Sequence, residues 1–149
     1  MNEIKPYRLW VGHAGDGCDF QGLFDKRIQA IVQLAIEEPP IQPPRELIFY
    51  RFPLLDGNGN CPELLHVAIT SVAMLIRKEV PTLVCCGAGM SRSPAIVAAA
   101  LTIVKGAGLE DSMKCVTESR RVDISPGLLT QIGHVLACNE NRDTVEEDG

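Results

Sequence analysis

The sequence lacks what would hold it in a membrane or on nucleic acid. Its longest largely apolar run, Ala95 to Val104, is too short for the hydrocarbon core of a bilayer, which needs about 20 residues. The segment Met1-Asn2-Glu3-Ile4-Lys5-Pro6 has no apolar run of the kind a signal peptide uses. Positive charge is in the minority. The 14 Lys and Arg against 19 Asp and Glu leave a net charge of −5, which argues against nucleic acid or an acidic membrane surface as main partner. Six cysteines, at positions 18, 61, 85, 86, 115 and 138, form no CxxC pair and no zinc-like spacing. No metal or other cofactor is expected, and no internal repeat is visible. The 149 residues suit one domain with a full core. Together these absences predict a cytoplasmic, monomeric globular protein with mostly reduced cysteines.

What is present centres on Leu83-Val84-Cys85-Cys86-Gly87-Ala88-Gly89-Met90-Ser91-Arg92-Ser93-Pro94. It opens apolar and β-branched, as a buried strand does. It passes through a loop of small residues and enters Ala95 to Leu101, which reads as a helix. Strand, glycine-bearing loop and helix N-terminus together make an anion site. The first helical N–H groups have no internal partner, and the helix dipole favours negative charge there. Cys86 opens the loop and Arg92 closes it. A thiolate would lie at the base of a phosphate-sized cradle, with a guanidinium fork at its rim. A buried Cys at a strand end with a capping Ser is the plainer alternative.

The spacing Cys-x5-Arg followed by Ser93 resembles the signature of the protein tyrosine phosphatase superfamily. The form Gly89-Met90-Ser91-Arg92-Ser93-Pro94 looks most like the small dual-specificity phosphatases. The resemblance covers roughly residues 7 to 138 and is specific around residues 86 to 94. It places residues 1–138 in a catalytic domain, and residues 139–149 are read as an acidic, frayed tail.

Along the chain, Tyr7 to Gly12 reads as a first strand. His13 to Gly17 reads as a turn, and Phe20 to Lys26 as a short helix. Ile28 to Leu34 reads as a second strand. Four prolines between Pro39 and Pro44 exclude a helix or central strand there. Glu46 to Phe52 is a third strand. Asn60 is read as the cap of a helix running to Lys78, with Glu63 as its capping-box partner. Thr82 to Cys85 is a fourth strand. Gly106 and Gly108 stop the helix behind the loop, Leu109 to Arg121 is a further helix, and Ser125 caps the last one. Alternating strands and helices imply an α/β layer structure of four to five mostly parallel strands. The loop falls at the carboxyl end of a strand, where such sheets bind ligands.

A phosphate monoester needs charge neutralisation, an in-line nucleophile and a proton donor for its cleavage. Cys86 is the candidate nucleophile. The loop N–H groups of Gly87, Ala88, Gly89, Met90, Ser91 and Arg92 are candidate ligands of the nonbridging oxygens. Arg92 would hold two of them bidentately. The resemblance implies that Ser93 hydrogen-bonds the departing thiolate. It also implies an acidic proton donor about thirty positions before the nucleophile, just after a strand, where Asp56 stands. Glu63 is the reserve.

The sequence departs from the family pattern in three places. Cys85 stands where most members have His. The loop carries no Lys, unlike members that act on inositol phospholipids. Gly127 stands where Asn is usual in the segment around Arg120 to Pro126. The reading is therefore a cysteine-dependent dual-specificity-type phosphatase acting on phosphorylated proteins or peptides. A catalytically weak phosphate-binding module on the same fold is the alternative, and such modules have usually lost Cys86, Arg92 or the acid. A rhodanese-like or arsenate-reducing Cys-x5-Arg enzyme is a third class, although low-molecular-weight arsenate reductases carry the loop near the N-terminus.

Overall fold

The computed structural model describes the backbone of residues 1–147 and the side chains of residues 1–140. Its strands are β1 (Asn2–Glu3), β2 (Leu9–Gly12), β3 (Ala30–Ala35), β4 (Ile48–Leu54) and β5 (Thr82–Cys85). Its helices are α1 (Ala14–Cys18), α2 (Phe20–Asp25), α3 (Pro62–Arg77), α4 (Arg92–Lys105), α5 (Leu109–Ser119) and α6 (Pro126–Glu147). The strands form one sheet in the order β1-β2-β5-β3-β4. All neighbours are parallel except β1, which pairs antiparallel with β2. This is the mostly parallel α/β sheet that the sequence predicts.

Side chains alternate across the sheet, as the period of a strand requires. From β5, Val84 and the following Cys86 enter the larger core, while Leu83 and Cys85 enter the smaller one. From β3, Val32 and Leu34 go to the first and Ile31 to the second. The larger core is covered by α3, α4, α5 and α6. The smaller one is closed by Leu23 of α2, by Ile41 of the proline-rich segment and by α1, whose Gly17 faces Cys85.

Every residue of α4 from Arg92 to Leu101 is buried, so it is the central helix. Full burial of side chains such as Ile96 and Leu101 contributes about 1.5–3 kcal/mol each. The helix ends at Gly106, whose φ of 68° is the left-handed conformation a glycine accepts without strain.

Several local readings differ from the sequence expectation. Residues 14 to 18 form a short helix where a turn is expected, because His13 and Asp16 cap it reciprocally. Asn60 does not cap α3. Cys61 is the N-cap and makes no side-chain capping bond. The Asn60 amide turns back into the preceding loop, donating to Leu55 O (2.9 Å) and Gly57 O (3.2 Å). The last helix continues to Glu147, through the stretch where the sequence predicts a frayed tail. Glu and Arg are good helix formers, so polarity alone does not end a helix. The last two residues of that tail lie outside the described residues. Among the described residues, no helix is long and apolar enough to cross a membrane.

Candidate active site

The loop from Cys86 to Ser91 joins β5 to α4, and its shape is set from outside. Four successive carbonyls are held by donors beyond the loop. Ala14 N–H donates to Gly87 O (3.0 Å) and Asp123 N–H to Met90 O (2.8 Å). Arg120 donates from Nε to Gly89 O (2.7 Å) and from Nη2 to Ala88 O (3.4 Å). Within a peptide unit the C=O and the next N–H point in opposite directions. Carbonyls drawn outward therefore turn the amides of residues 88 to 91 inward, making a concavity that suits an anion. Gly89 is required twice over. Its φ is +72°, and a Cβ there would lie 2.6 Å from both Gly12 O and Arg120 Nη2.

Cys86 lies at the floor of this concavity, 2% exposed. Ser93 Oγ donates to its Sγ at 2.8 Å, and Ser93 N–H approaches the same sulfur at 3.5 Å. Both donors stabilise negative charge on sulfur, whether a thiolate attacks or leaves.

Cys85 points the opposite way, into the smaller core. Its Sγ would lie 2.9 Å from a Cβ at Gly17, so the space beside it is filled. Burial pushes its thiol up to about 12, which keeps it protonated and unreactive. Cys85→Ala is therefore expected to leave peroxide inactivation as reversible by thiol as in the wild type. Irreversible loss in that variant, read as recovered activity after dithiothreitol, would show that Cys85 reaches Cys86.

Arg92 projects from the first turn of α4 beside Gly87. A Cβ at Gly87 would lie 3.5 Å from Nη2. Glu37, on the segment after β3, takes the end of the guanidinium with both carboxylate oxygens, Nη1 donating to Oε2 at 2.6 Å and Nη2 donating to Oε1. Nη1 also donates to Leu54 O at 3.0 Å. An Arg has five N–H donors, and these contacts use three. What remains is Nε, buried and without a partner, and one proton of Nη2. Those two lie on one edge of the fork, the edge that engages two oxygens of a phosphate side by side. The hydrogen bond with Arg92 holds the Glu37 carboxyl down at about 2, and the same bond raises Arg92. The pair is thus ionised throughout the neutral range.

Asp56 follows β4 on an exposed loop and reaches the cradle through Ser91. Ser91 Oγ donates to Asp56 Oδ1 at 2.5 Å. The same oxygen accepts from Ser125 N–H at 3.0 Å. The loop is fixed at its far end by Asn60, whose Oδ1 accepts from Leu55 N–H at 2.8 Å. Asn60 also exchanges hydrogen bonds with Gln131 of α6 through its backbone, Asn60 N–H donating to Oε1 at 3.2 Å and Gln131 Nε2 donating to Asn60 O. Glu63, the reserve candidate, instead lines a groove between α3 and α6 and accepts from Cys61 Sγ at 2.9 Å.

The structure thus gathers Cys86, Arg92, Ser93, Asp56 and the amides of residues 87 to 92 around one concavity. Sequence reasoning missed Glu37, whose only signal is an acidic residue at the exit of a parallel strand. It also missed Arg120 as a clamp on the loop. Gly127, standing where Asn is usual, packs against Asn58. The support at that place comes from Ser125 N–H on Ser91 and Asp123 N–H on Met90.

No family model and no curated protein matches the chain, but solved structures do. Human DUSP28 superposes with a TM-score of 0.83 at 21% identity, over 95% of this chain and 99% of that one. DUSP15 gives 0.78 at 23%, over 97% and 94%. PTPMT1 in complex with PI(5)P gives 0.73 at 16%, over 95% and 97%. The chain has the fold of the protein tyrosine phosphatase superfamily in its small dual-specificity form.

Proposed function

We propose that the protein is a cysteine-dependent phosphatase. It hydrolyses phosphate monoesters on tyrosine and on serine or threonine of proteins, through a phosphocysteine intermediate. The observation that carries this reading is Arg92. Its fork is held by Glu37 and Leu54 with the Nε–Nη2 edge left unpartnered among the described residues, beside Gly87 of the loop. A carboxylate clamp that spares the phosphate-binding edge has no use in a plain structural ion pair.

In the first step the Cys86 thiolate attacks phosphorus. The S–P bond forms as the ester P–O bond breaks, and Asp56 gives its proton to the leaving oxygen. In the second, water attacks phosphorus, Asp56 takes the water's proton, and the S–P bond breaks. The Ser93 hydroxyl, 2.8 Å from Sγ, receives the returning negative charge. The loop amides and the open edge of Arg92 neutralise the phosphoryl oxygens in both steps.

The substrate class follows from charge. The loop has no Lys. A Cβ at Gly87 would lie 3.3 Å from Glu37 Oε1 and 3.8 Å from Glu38 Oε1, so two carboxylates stand beside the start of the loop. A headgroup with several phosphates would be repelled there, whereas a singly phosphorylated side chain places its one dianion inside. Phosphate release from p-nitrophenyl phosphate, with EDTA and reductant present, separates this reading from a binding module without turnover. A panel of phosphopeptides and phosphoinositides then reads the substrate class.

The proton donor has its own test. Asp56→Asn is expected to slow phenyl phosphate hydrolysis by roughly 10²–10⁴, the usual contribution of a general acid. p-Nitrophenyl phosphate, whose leaving group needs less protonation, should lose less. An equal loss across leaving groups would mean that Asp56 serves structure.

A further inference from the structure

Serine is a favoured N-cap because its hydroxyl accepts from the amide of the second or third helical residue. Ser91 is the N-cap of α4, yet its side chain makes no capping bond. The hydroxyl is diverted out of the helix to two other elements. It accepts from Ser125 N–H, the residue before α6, and donates to Asp56 Oδ1.

The direction of these bonds is forced. A backbone N–H can only donate, so it takes a lone pair of Ser91 Oγ. The hydroxyl has one proton of its own to place. Ser91 is 8% exposed, so water competes little for that proton, and the only acceptor bonded to it is Asp56 Oδ1. Oδ1 is therefore committed as an acceptor, and the proton that Asp56 delivers rides on Oδ2.

We propose that Ser91 is a positioning residue for the proton donor: its hydroxyl holds Asp56 Oδ1, leaving Oδ2 turned towards the leaving oxygen. This rests on the reading of Asp56 as general acid. The same contact serves both chemical steps. In the first, Oδ2 carries the proton and gives it up. In the second, the same Oδ2 takes the proton of the attacking water. The tie also joins the nucleophile's own loop to an otherwise exposed acid loop. Side chain Asn60 and Gln131 anchor the other end of the same loop, so Asp56 is held on both sides.

The experiment measures kcat/KM on phenyl and p-nitrophenyl phosphate for wild type, Ser91→Ala, Ser91→Thr, Asp56→Asn and the double variant Ser91→Ala with Asp56→Asn. Loss of one hydrogen bond to a charged group predicts a roughly tenfold to hundredfold decrease for Ser91→Ala on phenyl phosphate. The decrease on p-nitrophenyl phosphate should be several-fold smaller. Ser91→Thr, which keeps the hydroxyl, should recover most of the loss. In the Asp56→Asn background, Ser91→Ala should add little, because the group it positions is already disabled. If Asp56→Asn shows the leaving-group dependence but Ser91→Ala lowers both substrates equally, or adds its full effect in the double variant, positioning is overturned and the acid assignment stands. If Asp56→Asn shows no leaving-group dependence, the acid assignment itself falls and takes this proposal with it. Should Ser91→Ala fail to fold, Ser91→Cys, similar in size with a weak donor, is measured against the same outcomes.

Discussion

Cys86→Ser is expected to reduce phosphate release from p-nitrophenyl phosphate to background while vanadate binding survives. The two halves of this result have separate physical origins. Turnover needs a nucleophile that is an anion near neutral pH. A thiol ionises far more readily than an aliphatic hydroxyl, so the serine variant lacks a competent nucleophile. Binding needs the inward amides and the open edge of Arg92. Neither depends on sulfur. The amides are set by Ala14, Arg120 and Asp123, and Arg92 is set by Glu37 and Leu54. Among the described residues the side-chain hydrogen bond to Sγ comes from Ser93 Oγ, which can donate equally to the new hydroxyl. Vanadate affinity is read by calorimetry and turnover by phosphate release. A variant that retained more than a small fraction of wild-type activity would show that another group attacks phosphorus.

Much of this site was legible in the sequence because it is local. Cys86, the loop, Arg92 and Ser93 are contiguous, and a strand before and a helix behind fix their relation with few degrees of freedom. The mostly parallel sheet follows from alternating element types, and β5 begins and ends where β-branched content and Pro81 put it. Asp56 could be placed through the resemblance alone, about thirty positions before Cys86 and just after a strand, since its Asp-Gly pair by itself reads as an ordinary turn. What was not legible is the long-range pairing. Glu37 and Arg92 are 55 positions apart, and nothing in Glu-Glu-Pro-Pro announces that its first carboxylate turns into the loop. Parallel alignment of β3 beside β5 brings them together, since both strands end at the same edge of the sheet. Asn60 and Ser91 mislead for a shared reason. Each has the side chain of a helix cap, but the Asn60 amide closes the preceding loop and the Ser91 hydroxyl reaches Asp56 and Ser125, choices that helix propensity cannot see.

The same long-range pairing makes Arg92→Lys the second severe variant, more severe than conserved charge suggests. The guanidinium meets Glu37 at the end of the fork and Leu54 O on one side, and on the proposed reading it takes the phosphate on the other. An ammonium on a flexible stem cannot span these geometries. It would be drawn to the Glu37 carboxylate, which stays ionised at any assay pH. In the wild type the Arg92 hydrogen bond holds that carboxyl down at about 2, and an ammonium in its place still favours the ionised form. The transition state would then lose both hydrogen bonds from the Nε–Nη2 edge. Two charge-assisted bonds at about 1.5–3 kcal/mol each correspond to roughly 10²–10⁴ in kcat/KM. The loss should appear with phenyl and p-nitrophenyl phosphate alike, because Arg92 holds the phosphoryl oxygens common to both rather than the leaving group. That uniformity distinguishes it from Asp56→Asn. Near-normal kcat/KM in Arg92→Lys would mean that the open edge does not meet the phosphate, and that Glu37 and Arg92 form a structural ion pair at the mouth of the cradle.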